Sequence, residues 1–145
     1  MDALAAVQTA IAFVWLGMVL GISFLEAPLK FRAPGITIPL GVGIGRLVFR
    51  ALNLVEGVFA LALVATLVLS WPPRPWAPTL VGALVVVLVI GAGVLRPRMD
   101  ARVQRGELSS GQPRHALHIG FVALETVKVL LLLALGILLL ATPAG

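Results

Sequence analysis

The sequence predicts an all-α integral membrane protein, a four-helix bundle forming a single transmembrane domain over residues 1–145. Three observations carry that prediction. The chain is 60% hydrophobic and only 12% charged, with a mean hydropathy of +1.10, where an ordinary soluble domain is about 45–50% apolar and about 25% charged. The apolar residues gather into four long runs, each close to the ~20 residues that cross a bilayer as a helix. Ten of the eleven basic residues lie at the edges of those runs or between them, where such residues set orientation.

The first run, Ala3 to Leu25, holds 23 residues and no charge, and predicts a helix over about 3–26. Asp2 and no basic residue precede it, so it lacks the positive n-region of a signal peptide and reads as a retained span. The second run ends at Ser70 and Trp71 and predicts a helix over 47–71. The third, Pro78 to Leu95, has 18 uncharged residues and predicts a helix over 78–96. The fourth gives a helix over 115–141. Between the first two helices, Ala33 to Gly45 is apolar but only 13 residues long, too short to span; residues 33–45 read as an interfacial loop segment. Gly41, Gly43 and Gly45 do not form a dinucleotide fingerprint, because the spacing is incomplete and no strand precedes them.

Orientation follows from the charges. Lys30, Arg32, Arg46 and Arg50 flank the first connection, and Arg96, Arg98, Arg102, Arg105 and Arg114 flank the third; the second has only Arg74. Positive residues stay inside, so both termini and the "WPPRPWAP" turn are expected outside and the two basic loops in the cytoplasm. Trp71 and Trp76 then mark the outer interface. The expected location is the inner (plasma) membrane, multi-pass. The net charge of +5 is accounted for by these loops, which argues against nucleic acid as a partner. The absence of cysteine excludes a structural disulfide, a thiol–disulfide oxidoreductase and a thiolate metal site.

Several polar residues lie inside the apolar runs. Gly57 to Ser70 is 14 residues, ~21 Å of helix, against a hydrocarbon core of ~30 Å. With Trp71 at the outer face, Glu56 lies roughly 9 Å below the inner surface. By the same reasoning Lys128 is immersed and Glu125 nearly so. Arg46, Arg50, Asn53 and Glu56 share about a third of the second helix's circumference, and His118 and Glu125 project together on the fourth. Isolated charges in lipid cost about 2.5–3.5 kcal/mol each even on permissive scales, and normally face a bundle interior or wet cavity. The expectation is a cytoplasm-facing polar pocket of Glu26, Asn53, Glu56, His118, Glu125 and Lys128, rimmed by Arg46, Arg50 and Arg96. The plainer alternatives stand beside it: Glu125 with Lys128 as a neutralised helix pair, Lys128 snorkelling to the headgroups, Arg96 and Arg98 as topology anchors, His115 and His118 as interfacial histidines. Glu56 alone lacks a partner on its own helix.

Gly17 and Gly21 form a small-xxx-small pattern suited to close helix contact, within the bundle or between protomers of a homo-oligomer. No cofactor is expected. Both histidines sit three residues apart at one helix entrance, unlike facing haem ligands, and the surrounding cations oppose a metal on Glu26, Glu56, Glu125 and His118.

The stretch "GISFLEAPLKFRAPGITIPLGVGIGRLVFRALN", the third-helix ending "LRPRMDARV" and the fourth-helix opening "HALHIGFVALE" resemble the transmembrane protein 205-like family, with Phe31, Phe49, Pro97, Arg98 and His118 at matching positions. The resemblance implies a four-helix membrane fold and no particular reaction. A second likeness, Arg50 and Asn53-x-x-Glu56 opening the second helix, is similar to membrane-associated eicosanoid and glutathione enzymes. Here the arginine precedes the asparagine by three residues instead of four, and the chain has no tyrosine.

Three classes of function fit. The first is a carrier of a small or lipidic ligand with Glu56, Glu26 or Glu125 as a coupled carboxylate; the basic rim suits an anion or a lipid headgroup. The second is a noncatalytic accessory subunit that docks a partner helix or membrane lipid. The third is an intramembrane enzyme using His118 and a glutamate as acid and base.

Overall fold

The computed structural model describes residues 2–106 and 115–142; Arg114, used above for orientation, falls outside them. The described chain is all-helical, with four helices long and apolar enough to cross a membrane. These are α1 (Ala3–Arg32), α2 (Ile38–Leu69), α3 (Ala77–Gln104) and α4 (His115–Ala141). Leucine- and valine-rich segments form helices in lipid because only internal hydrogen bonding satisfies every peptide group there.

Local signals set the helix starts. The Asp2 carboxylate accepts the Ala5 N–H at 2.7 Å, capping α1. Thr37 does the same for α2 through the Leu40 N–H at 3.3 Å, with Pro39 in the first turn. Such caps satisfy donors that a helix's first turn leaves orphaned. Gly35, at φ +78°, turns the chain between α1 and α2. At the far end of the bundle, Arg74 Nη2 donates to the Thr142 carbonyl at 3.0 Å, tying the α2–α3 turn to the end of α4.

The expected boundaries need three corrections. Residues 38–45, assigned above to an interfacial loop, are the first two turns of α2. The glycines there relieve crowding instead of breaking the helix: a Cβ at Gly41 would run into the Phe31 ring, and one at Gly45 into Lys30 Nζ. Glu26 does not end α1 and Arg96 does not end α3. Each helix continues past a wide π turn, Leu20–Glu26 in α1 and Gly91–Leu95 in α3. The Ala27 N–H bonds back to the Ile22 carbonyl and the Arg96 N–H to that of Gly91, five residues upstream instead of four. Beyond these turns α1 reaches Arg32 and α3 reaches Gln104. Pro28 and Pro97 fall in the first turn after each one, where a missing N–H does least harm.

α1 packs most extensively on α4, and α2 and α3 complete the ring, α2 against α1 and α3, and α3 against α4. Trp15, Val19, Leu63, Leu84, Leu132 and Leu135 are the heart of one core, in the half away from the basic ends. A smaller cluster of Phe49, Leu52 and Phe121 lies nearer those ends. The outside is apolar too: Leu54 and Leu61 are each 73% exposed, a surface suited to lipid and not to water.

Candidate functional site

Between the two cores lies a buried charge cluster. Lys128 Nζ on α4 contacts Glu56 Oε2 on α2 at 2.8 Å and Glu125 Oε1 one turn back at 2.6 Å. Trp15 Nε1 on α1 donates to Glu56 Oε2 at 2.6 Å, and Ser23 Oγ, in the π turn, donates to Glu125 Oε2 at 2.7 Å. All three charged side chains are buried, Glu56 completely. One acceptor, Glu56 Oε1, has no hydrogen-bond partner among the described residues. Three helices thus contribute to one network, and two carboxylates share one ammonium. Glu56, without a partner on its own helix, finds two on others.

Beside this cluster is a cavity of about 490 Å³ at the end where α1 and α3 finish and α2 and α4 begin. It falls within the ~300–1,000 Å³ usual for small-molecule sites. Its cations are Lys30, Arg46, Arg96 and Arg102; its acids are Asp100 and Glu125. Phe24, Phe31, Phe49 and Phe121 supply aromatic wall. Among the wall residues Phe24, Pro28, Phe31, His118 and Val122 are exposed, all from α1 and α4, which places the mouth between those helices.

Arg96 organises this wall. Its guanidinium carbon lies 3.7 Å from the Phe49 ring centroid and 4.2 Å from that of Phe121, with the two rings edge to face at 5.5 Å. A planar guanidinium stacks in this way where an ammonium cannot. Its Nε is buried without a hydrogen-bond partner among the described residues. Arg46 Nε sits 3.3 Å from Asp100 Oδ1, an ion pair without hydrogen-bond alignment. Lys30 pairs with Glu26 at 3.4 Å, one turn back on α1.

The single polar pocket expected from the sequence divides into parts. Glu56, Glu125 and Lys128 come together, but in a packed cluster; of the three only Glu125 reaches the cavity. His118 lines the cavity and is exposed. Glu26 pairs with Lys30 and is not part of the cavity wall. Asn53 lies with Arg50 in an adjoining cleft of about 210 Å³ between α2 and α3, which shares Arg46, Phe49, Arg96 and Asp100 with the cavity. The wheel of a single helix gives relative angles along that helix and not its rotation against its neighbours, and the π turns shift the phase again. Gly17 and Gly21 have no neighbour within 4 Å of where a Cβ would stand, so neither mediates close packing inside the bundle. Lys128 points inward and does not snorkel. Arg96, expected at the pocket rim or as a plain topology anchor, is part of the cavity wall.

Trp15, Ser23 and Phe121 went unremarked in the sequence, although Trp15 carried a signal: a polar-tipped indole mid-span needs a hydrogen-bond acceptor. Among the described residues no group of three or more His, Asp or Glu is placed to hold a metal ion. No protein-family model, curated protein or solved structure matches this chain.

Proposed function

We propose that this chain is a carrier in the inner (plasma) membrane, with both termini outside, that takes up an anionic amphiphile from the cytoplasmic side into the basic cavity. The carrying observation is Arg96 held between Phe49 and Phe121 in a cavity where four cations face two acids. Glu125 is engaged by Lys128, Asp100 by Arg46 and Lys30 by Glu26, which leaves Arg96, its Nε buried without a hydrogen-bond partner among the described residues, as the cation that carries the reading. A charged headgroup gains from the cations, and an alkyl chain gains from the rings and from a mouth that opens between α1 and α4. The likeness to the transmembrane protein 205-like family belongs to the same reading. The enzyme reading is less well supported, because His118 has no hydrogen-bond or ion-pair partner among the described residues. An accessory role would show as a stable partner in native membranes.

Native mass spectrometry of the gently solubilised protein, wild type beside Arg96→Met, tests the binding. The expected result is a discrete anionic amphiphile, or saturable uptake of added octyl sulfonate, that the variant loses. A wild type that retains no ligand and does not bind octyl sulfonate refutes the reading. Orientation is tested in the cysteine-free chain with Gln104→Cys and Pro75→Cys. An impermeant maleimide added to intact cells should label only the second of these variants.

A further inference from the structure

The cavity and the charge cluster are joined through Glu125, which lines the first and belongs to the second. From the cavity the contacts run inward without a break: Ser23 to Glu125 at 2.7 Å, Glu125 to Lys128 at 2.6 Å, Lys128 to Glu56 at 2.8 Å, and Glu56 to Trp15 at 2.6 Å. Two carboxylates against one ammonium leave this buried row one negative charge in excess. Among the described residues no cation from another helix is in ion-pair contact with the row. From α1 come an indole and a hydroxyl, both uncharged. From α3, Arg96 acts electrostatically on Glu125 and Asp100 without an ion-pair contact to either, while Asp100 is paired with Arg46 of α2 at 3.3 Å. Nothing else among the described residues hydrogen-bonds the inner end, where Glu56 Oε1 stands without a donor.

We propose that the Glu125–Lys128–Glu56 row binds one exchangeable proton, entering from the cavity through Glu125, and that this proton and an anionic ligand bind cooperatively. The inference rests on the cavity reading above. A proton added to either carboxylate leaves one carboxylate and one ammonium, a neutral buried pair. An anion entering the cavity beside Glu125 is repelled by the row's excess charge and accepted once that charge is gone. Linkage makes the effect reciprocal: the proton tightens the anion by the factor by which the anion tightens the proton. Acidification therefore strengthens anion binding. Carrier turnover would then move one proton with each anion.

The test is calorimetric titration of the whole protein in dodecyl maltoside with octyl sulfonate, whose headgroup stays ionised throughout. Pairs of buffers with different protonation enthalpies report protons taken up per anion bound. The wild type should take up close to one proton per sulfonate, with Kd falling as the pH is lowered, by at most about tenfold per pH unit. Glu56→Gln and Glu125→Gln, each neutralising the row, should bind with no proton uptake and little pH dependence. His118→Asn, which alters the cavity wall and is free to change sulfonate affinity, should leave the number of protons taken up per sulfonate bound at the wild-type value. Binding without proton uptake in the wild type overturns the coupling and leaves the cavity reading standing. Uptake that survives in both Gln variants, or is lost only in His118→Asn, also overturns it. If octyl sulfonate does not bind the wild type, the cavity reading fails and this inference fails with it.

Discussion

Replacing Lys128 with Met tests the buried cluster most directly. The ammonium lies 2.8 Å from one carboxylate and 2.6 Å from another, with side-chain exposures of 4% for Lys128, 0% for Glu56 and 5% for Glu125. At an effective dielectric of about 20, each contact is worth about 6 kcal/mol of direct attraction. Most of that is offset in the intact protein by the desolvation of all three groups. Lys128→Met removes the attraction and leaves both carboxylates buried, so the loss is that of breaking a buried pair, about 3–5 kcal/mol. Glu56→Gln should cost less, about 1–2 kcal/mol, because the oxygen of the introduced amide still accepts from Trp15 and Lys128 keeps Glu125. In the double variant the Lys128→Met loss should shrink by about 1–3 kcal/mol, the coupling expected of directly contacting groups. Reversible unfolding in mixed micelles measures all four proteins. A Lys128→Met loss below about 1 kcal/mol, with no coupling to Glu56, would show that the ammonium does not hold the two acids together.

Other predictions follow from single contacts. Trp15→Phe removes the 2.6 Å bond to Glu56 and should cost about 1–3 kcal/mol in the same unfolding assay. With Trp71 and Trp76 replaced by Phe, the emission of the remaining, fully buried Trp15 should be blue-shifted and insensitive to aqueous quencher. Arg96→Lys keeps the charge but loses the stacking between Phe49 and Phe121, and should weaken octyl sulfonate binding about tenfold in titration, in line with a cation–π contribution of about 0.5–2 kcal/mol. Gly41→Ala drives the half-exposed Phe31 ring out of the cavity wall. It should lower sulfonate affinity while changing unfolding free energy by less than about 1 kcal/mol, because an exposed ring swings away at little cost.

Hydrophobic run length was enough to find four helices, because a membrane leaves the backbone few alternatives. What it misjudged were the ends. Gly41, Gly43 and Gly45 read as a loop because glycine weakens an isolated helix; here two of them make room for Phe31 and Lys30, a tertiary reason invisible along the chain. Arg96 read as a terminus because charges usually stop a span, whereas two phenylalanines from other helices surround it. Depth arithmetic set Glu56 and Lys128 well inside their apolar runs, and both side chains are buried within the bundle. Their pairing was not legible, since it joins positions on α2 and α4 whose relative rotation no one-helix wheel contains. Trp15 and Ser23, which complete the network, come from a third helix. The split between a closed charge row and an open cavity likewise depends on how four helices turn toward each other.

The wide turns in α1 and α3 divide each of these helices into two segments whose side chains are out of phase with one another. A regular helix advances about 100° per residue, so one residue added to or taken from such a turn re-aims everything beyond it and leaves everything before it in place. Gly93, exposed and without a neighbour where a Cβ would stand, is a position where such a change meets no obstacle. Its deletion would swivel Arg96 away from its two rings while the leucine-packed half kept its seams. The half that holds the bundle together and the half that carries the cavity can therefore diverge separately, with single-residue insertions and deletions, more than substitutions, as the means of redirecting the cavity.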